Sequence, residues 1–143
     1  MKLSEHFTLE EMCYSETARK LGIDNRPSEA EIKNLKELCM NVAEPIRARF
    51  GAFSPSSGYR SSKLNTAVGG KKTSQHCKGQ AMDIPRIGNG KHSLMHIYNW
   101  IRNNIDYDQV IFEHDSLGNK WIHVSYVSKE KNRHYNIDEY AKR

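Results

Sequence analysis

No stretch of this chain approaches the roughly 20 consecutive apolar residues that a membrane-spanning helix requires, so bilayer insertion is not expected. The opening residues, Met1 to His6, are followed by no apolar run and no small-residue cleavage site. A signal peptide is therefore not expected, and synthesis in a cytoplasm is. Cysteine is sparse. Cys13, Cys39 and Cys77 form no CxxC pair, and an odd number at wide spacing argues against a disulfide framework. Free thiols fit a reducing compartment. Aromatic residues do not interleave with the densest basic clusters, Lys71-Lys72 and Lys129 to Arg133. A stacking platform for single-stranded nucleic acid is thus missing, and no nucleic-acid partner is expected. Repeats and low-complexity segments are also absent.

What remains is a chain of 143 residues, a length suited to one domain spanning 1–143. With 37% hydrophobic and 27% charged residues it can build a core beneath a polar surface. The net charge of +5 favours anionic surroundings, a cell wall among them, although the charge is spread and also serves solubility. The oligomeric state is open, with a monomer as the working expectation.

Helices dominate the first half. Thr8-Leu9-Glu10-Glu11 and Ser28-Glu29-Ala30-Glu31 both have the capping-box pattern, in which a hydroxyl and a carboxylate three residues on satisfy each other's backbone N–H groups. A short helix should follow the first box and end near Tyr14. A second runs from Ser15 to Leu21, with Gly22 as its stop. After the second box Ile32, Leu35, Leu38, Val42 and Ile46 recur every three or four residues, making one apolar stripe that also takes in Cys39. Pro45 should kink or break this helix after Ala43, and Gly51 ends it. Ala52 to Ser57 contains Pro55, so a strand there would lie at a sheet edge. Ser61 to Val68 can form a helical turn ended by Gly69-Gly70, and Lys71 to Gly79 reads as loop.

Strands gather in the second half: Gln80 to Pro85, Asp108 to Glu113 and Trp121 to Tyr126. His114 to Lys120 forms a hairpin loop, and a helix is expected over Lys91 to Asn103. The charged tail after Lys129 has Tyr135 and Tyr140 as anchors. The expected fold class is α+β, a helical N-terminal half packed on a small antiparallel sheet.

The chemistry concentrates in Ser74-Gln75-His76-Cys77-Lys78-Gly79-Gln80-Ala81-Met82-Asp83-Ile84 and Trp121-Ile122-His123-Val124-Ser125-Tyr126. Two imidazoles and one carboxylate, His76, Asp83 and His123, make a three-ligand zinc set with one position open, as catalytic zinc requires. Along a strand, residues two apart share a face. Glu113 therefore faces with Ile111, and a hairpin brings it beside Trp121 or His123. A carboxylate there could serve as a general base for zinc-activated water. The alternative is that His76 and His123 are surface or satisfied core histidines. His92 and His96, one helical turn apart, are a second possible ligand pair but lack the Glu of His-Glu-x-x-His. Cys77 beside His76 could be a nucleophile only with an activating setting. Tyr59, Trp121 and Tyr126 could line a groove or fill the core.

Taken together, Ser57-Gly58-Tyr59-Arg60, Val68-Gly69-Gly70, Ser74-x-His76-x-x-Gly79-x-Ala81-x-Asp83-Ile84 and Trp121-Ile122-His123-Val124-Ser125 resemble the M15 zinc peptidases. These are D-Ala-D-Ala carboxypeptidases and related phage endolysins, and they share a fold with the Hedgehog signalling domain. Phe7-Thr8-Leu9-Glu10-Glu11-Met12 and Gly22-Ile23-Asp24-Asn25 look like a phage- and prophage-associated branch. The resemblance runs from Leu3 to Tyr126. It implies zinc ligands His76, Asp83 and His123, and an Arg60 that points at the site and stabilises a carbonyl oxygen or a substrate carboxylate. It also implies peptidoglycan stem peptides as substrates and action on the wall, reached at phage lysis through a separate pore.

One position departs from the family pattern. Several members carry the catalytic acid three residues before the last ligand, where this chain has Lys120. Glu113 is the expected substitute, with His114 and Asp115 weaker candidates. The departure keeps a second possibility open, a non-catalytic zinc-containing binding module of the same fold.

Overall fold

The structure, a computed structural model, describes residues 1–141. Both capping boxes form. Thr8 caps α1 (Leu9–Cys13) and Ser28 caps α3 (Glu29–Leu38), each with its Glu at the third helical position. Between them α2 (Glu16–Leu21) is capped by Ser15 and closed by Gly22. Pro45 does not end the long helix. Residues Cys39–Ala43 widen instead into one π-helical turn, with Glu44 N–H donating to Cys39 O, before α4 (Glu44–Phe50) begins. Proline has no N–H, and its ring would strike the carbonyl four residues back, so a wider turn relieves both problems while helical dihedrals persist. Leu35, Leu38, Cys39, Val42 and Ile46 are fully buried along this composite helix.

The Ala52 to Ser57 segment is not a strand. It makes one isolated bridge, Ser57 to Asp83. Next comes α5 (Ser62–Ala67), ended at Val68. Within the expected loop, Gln75–Lys78 forms a 3₁₀ turn stopped by Gly79. The final helix, α6 (Leu94–Asn104), begins three residues later than expected because Ser93 accepts a hydrogen bond from His96 N–H and so sets the cap.

Among the described residues the sheet has four strands in the order β1 (Ala81–Ile84), β3 (Lys120–Ser125), β2 (Gln109–His114), β4 (Tyr135–Ala141). The first three are antiparallel, as expected, but β4 runs parallel to β2. The tail is therefore a strand, and Tyr135 and Tyr140 stay largely exposed on it instead of anchoring it in the core.

Register divides the sheet into two faces. Met82, Val124 and Val110 form one row, and Ile84, Ile122 and Phe112 the next. Both rows meet the helices in one hydrophobic cluster with Leu38, Ile97 and Ile101. The opposite face carries Asp83, His123 and Ile111 in a single row, with Trp121 opposite Glu113 beside it. No described helix is long and apolar enough to cross a membrane.

Candidate metal centre

His76 rides on the 3₁₀ turn and is nearly fully buried. Its Nδ1 lies 2.7 Å from the Gly58 carbonyl oxygen. A carbonyl only accepts, so Nδ1 carries the proton and Nε2 holds a lone pair. That lone pair faces Asp83 Oδ1 at 3.3 Å. His123 Nδ1 lies 3.4 Å from the same oxygen, directly across the β1–β3 ladder. Within this cluster His76 Nε2 and Asp83 Oδ1 are buried and have no hydrogen-bond partner.

Two acceptor atoms held face to face in the interior repel each other unless a cation lies between them. Burial depresses the pKa of His76, against the pull of Asp83, so protonation of the ring does not supply that cation. Burial also opposes ionisation of Asp83, but positive charge on the facing imidazoles outweighs it and holds the carboxyl below its usual range, a role that a cation between them would take while the rings are neutral. The three ligand atoms lie within 4.8 Å of one another. Tetrahedral zinc with ligands at about 2.0–2.1 Å separates them by about 3.3–3.4 Å, which the two distances to Asp83 Oδ1 match. The donor set and its spacing fit a zinc-sized ion.

Local sequence explains why these side chains meet. The Gly58 carbonyl reaches His76 because residue 58 has no side chain; a Cβ there would sit 2.2 Å from Met12 O. The Tyr59 N–H then bonds that same Met12 oxygen, and the Arg60 N–H bonds His76 O. Arg60 is buried, with Nη2 3.5 Å from Asp83 Oδ2, Nε donating to Ser57 Oγ and Nη1 to Asn65 Oδ1. Gly70 leaves room for Asn65, since a Cβ at residue 70 would lie 2.0 Å from Asn65 Oδ1. The Ser-Gly-Tyr-Arg and Gly-Gly motifs are thus scaffolding for one histidine and one arginine.

A cleft of about 690 Å³ opens over the cluster, lined by Arg60, His76 and His123 together with Glu113. Glu113 is buried and stands opposite Trp121, whose indole donates to Oε1 at 2.9 Å. Oε2 takes no hydrogen bond from the described residues. The weaker candidates, His114 and Asp115, are placed less favourably, as is Lys120 at the family's usual acid position. Lys120 is exposed and pairs with His114, and strand alternation puts both on the face opposite His123. Asp115 accepts from Leu117 N–H and Asn119 N–H, which holds the hairpin loop together.

Cys77 is partly buried, and burial raises its pKa, so the thiol lacks the activation a nucleophile needs. His92 and His96 stack at 5.6 Å beside Phe50, away from the cleft. Tyr59 and Tyr126 lie in the core.

Cleft residues that sequence reasoning did not place there include Gln75, Lys71, Arg133 and Tyr140. Gln75 adjoins His76, which was a usable signal. Arg133 and Tyr140 come from the tail, whose strand gave no periodic apolar pattern.

A family model described as peptidase M15 matches residues 5–125. No curated protein matches the chain.

Proposed function

The chain belongs to the peptidase M15 family, and on that footing we propose that residues 1–143 form a single zinc peptidase domain. It hydrolyses peptide bonds in bacterial peptidoglycan stem peptides, as a D-Ala-D-Ala carboxypeptidase or an endolysin-type endopeptidase. The observation that carries this reading is the buried, unpartnered pair His76 Nε2 and Asp83 Oδ1 beneath a cleft that also holds Glu113. His76, Asp83 and His123 would hold the ion. When bound, zinc supplies Lewis acidity that activates water and polarises a carbonyl.

The remaining chemistry belongs to the chain. The Gly58 carbonyl fixes the His76 tautomer, so Nε2 is the lone-pair atom of the neutral ring. Trp121 fixes one oxygen of Glu113 and leaves Oε2 to take a proton from water and return it to the leaving amine. The second task needs the same oxygen in the same place, and the indole bond provides that. Arg60 stands against Asp83 as a buried cation in the cleft wall, suited to stabilise negative charge developing on the carbonyl oxygen.

Metal content and digestion of purified peptidoglycan test the assignment together. Wild type should bind one zinc per chain and release new peptide termini. His76→Ala should lose the metal. Glu113→Gln should keep it while hydrolysis falls about 10²–10⁴-fold. Full activity in Glu113→Gln would remove Glu113 as the base. Stoichiometric zinc with no digestion by wild type would leave a non-catalytic zinc module.

A further inference from the structure

One buried carboxylate near the cleft is not used by the metal cluster. Asp108, at the entrance to β2, has no exposure. Its Oδ1 accepts from the Arg133 backbone N–H at 2.9 Å and from Arg133 Nε at 3.0 Å. Its Oδ2 accepts from Arg133 Nη2 at 2.7 Å and from Gln75 Nε2 at 2.9 Å. Asp108 therefore ties Gln75, the neighbour of His76, to Arg133 in the segment between β3 and β4. Both residues line the cleft.

The Arg133 side chain is gripped along one edge yet remains 61% exposed. Its Nη1 takes no partner among the described residues. Neutralising Asp108 would be served as well by a covered guanidinium. Here a fixed cation faces solvent in the cleft, already oriented for a planar anion. Lys71 and Arg60 add two positive groups to the lining, against the one carboxylate of Glu113.

Register orders these groups along β2. The chain following Arg133 joins the sheet where Tyr135 pairs with Gln109; His123 pairs with Ile111; Glu113 pairs with Tyr140. A peptide laid along the cleft meets the Arg133 cation on one side of the metal cluster and Glu113 on the other.

We infer that Arg133, supported by Lys71, is a specificity-determining residue that receives a substrate carboxylate on one side of the scissile bond, so that the cleft selects acidic peptides. The inference rests on the peptidase reading above and names its substrate class. It also assigns a role to a segment beyond the family-matched residues 5–125.

The test uses paired peptides that differ only in carboxylate or carboxamide, placed on each side of the scissile bond in turn. Equilibrium binding to metal-free wild-type protein reads the preference without turnover. The carboxylate form should bind about tenfold tighter, about 1.4 kcal/mol, on one side only. Arg133→Gln should bring the ratio within about twofold of unity, whereas Arg133→Lys should retain much of it, with thermal unfolding confirming that each variant is folded. If Arg133→Gln does not fold, Lys71→Gln decides, since Lys71 is exposed and makes no bond to Asp108; it should lower the ratio at least about twofold. An unchanged ratio in the folded Arg133→Gln protein, or no carboxylate preference in wild type, would overturn the inference. A binding preference without hydrolysis by the zinc-loaded protein would instead sink the peptidase reading and leave Arg133 as an anion reader.

Discussion

At the scale of single residues, the cluster is set by where protons are not. His76 gives its one N–H to Gly58, so the atom facing Asp83 has nothing to donate. This fixes a pH dependence. Burial lowers the folded-state pKa of His76 below its unfolded value of about 6.5. Between those two values the unfolded chain binds a proton that the native site refuses, so stability rises with pH across the window. The metal-free protein should therefore lose stability as pH falls below about 6.5, and metal affinity should fall with it, because protons compete for the same lone pair. Asp83 acts in a separate window. Its depressed pKa contributes stability above about 3.9, and that contribution disappears only in stronger acid. Thermal unfolding of wild type and His76→Gln between pH 7 and pH 5 checks the histidine. The wild-type midpoint should drop more steeply, and parallel curves would count against a neutral His76.

At the scale of elements, two glycines let backbone segments come close enough to hold the site. Gly58→Ala would force a Cβ against the Met12 carbonyl, a backbone atom already bonded to Tyr59 N–H. The loss should be about 1–3 kcal/mol, with weakened metal binding because the Gly58 oxygen orients His76. Gly70→Ala should push Asn65 off Arg60 and cost less stability, since a side chain can move where a carbonyl cannot. Chemical denaturation and zinc titration of both variants measure the difference; a smaller loss for Gly58→Ala than for Gly70→Ala would contradict the mechanism. The elements legible in the sequence were those whose determinants are local. Thr8 with Glu11 and Ser28 with Glu31 lie within one helical turn, and strand alternation narrowed the neighbour of Glu113 to Trp121 or His123, of which the register takes Trp121. The Pro45 region was legible as a disturbance but not in its form, because a kink and a π turn relieve the same clash. The clustering of His76, Asp83 and His123 was legible through its motifs. Arg133 was not, since its partner lies 25 positions away and nothing local marks Asp108 as buried.

At the scale of the whole molecule, the tail does two separable jobs. Strand β4 covers the edge of β2, but most of its side chains are exposed, so it adds little apolar burial. Arg133, just before it, compensates the fully buried carboxylate of Asp108. The two jobs differ in energy. Removing the partner of a buried charge strands that charge, which costs about 3–5 kcal/mol for a pair buried on both sides. Water reaches Arg133, so about 2–3 kcal/mol is the reasonable figure here. Burial would then raise the Asp108 pKa, where Arg133 now holds it below the usual carboxylate range against that same burial. A chain ending at His134 keeps the ion pair and loses the strand. A chain ending at Ser128 loses both. The midpoint of thermal unfolding should fall modestly for the first truncation and by a clearly larger step for the second. The second should also be partly rescued at low pH, where Asp108 is protonated and no longer needs a cation. Equal midpoints for the two truncations would mean that β4, not the Asp108–Arg133 pair, is what the tail contributes to the fold.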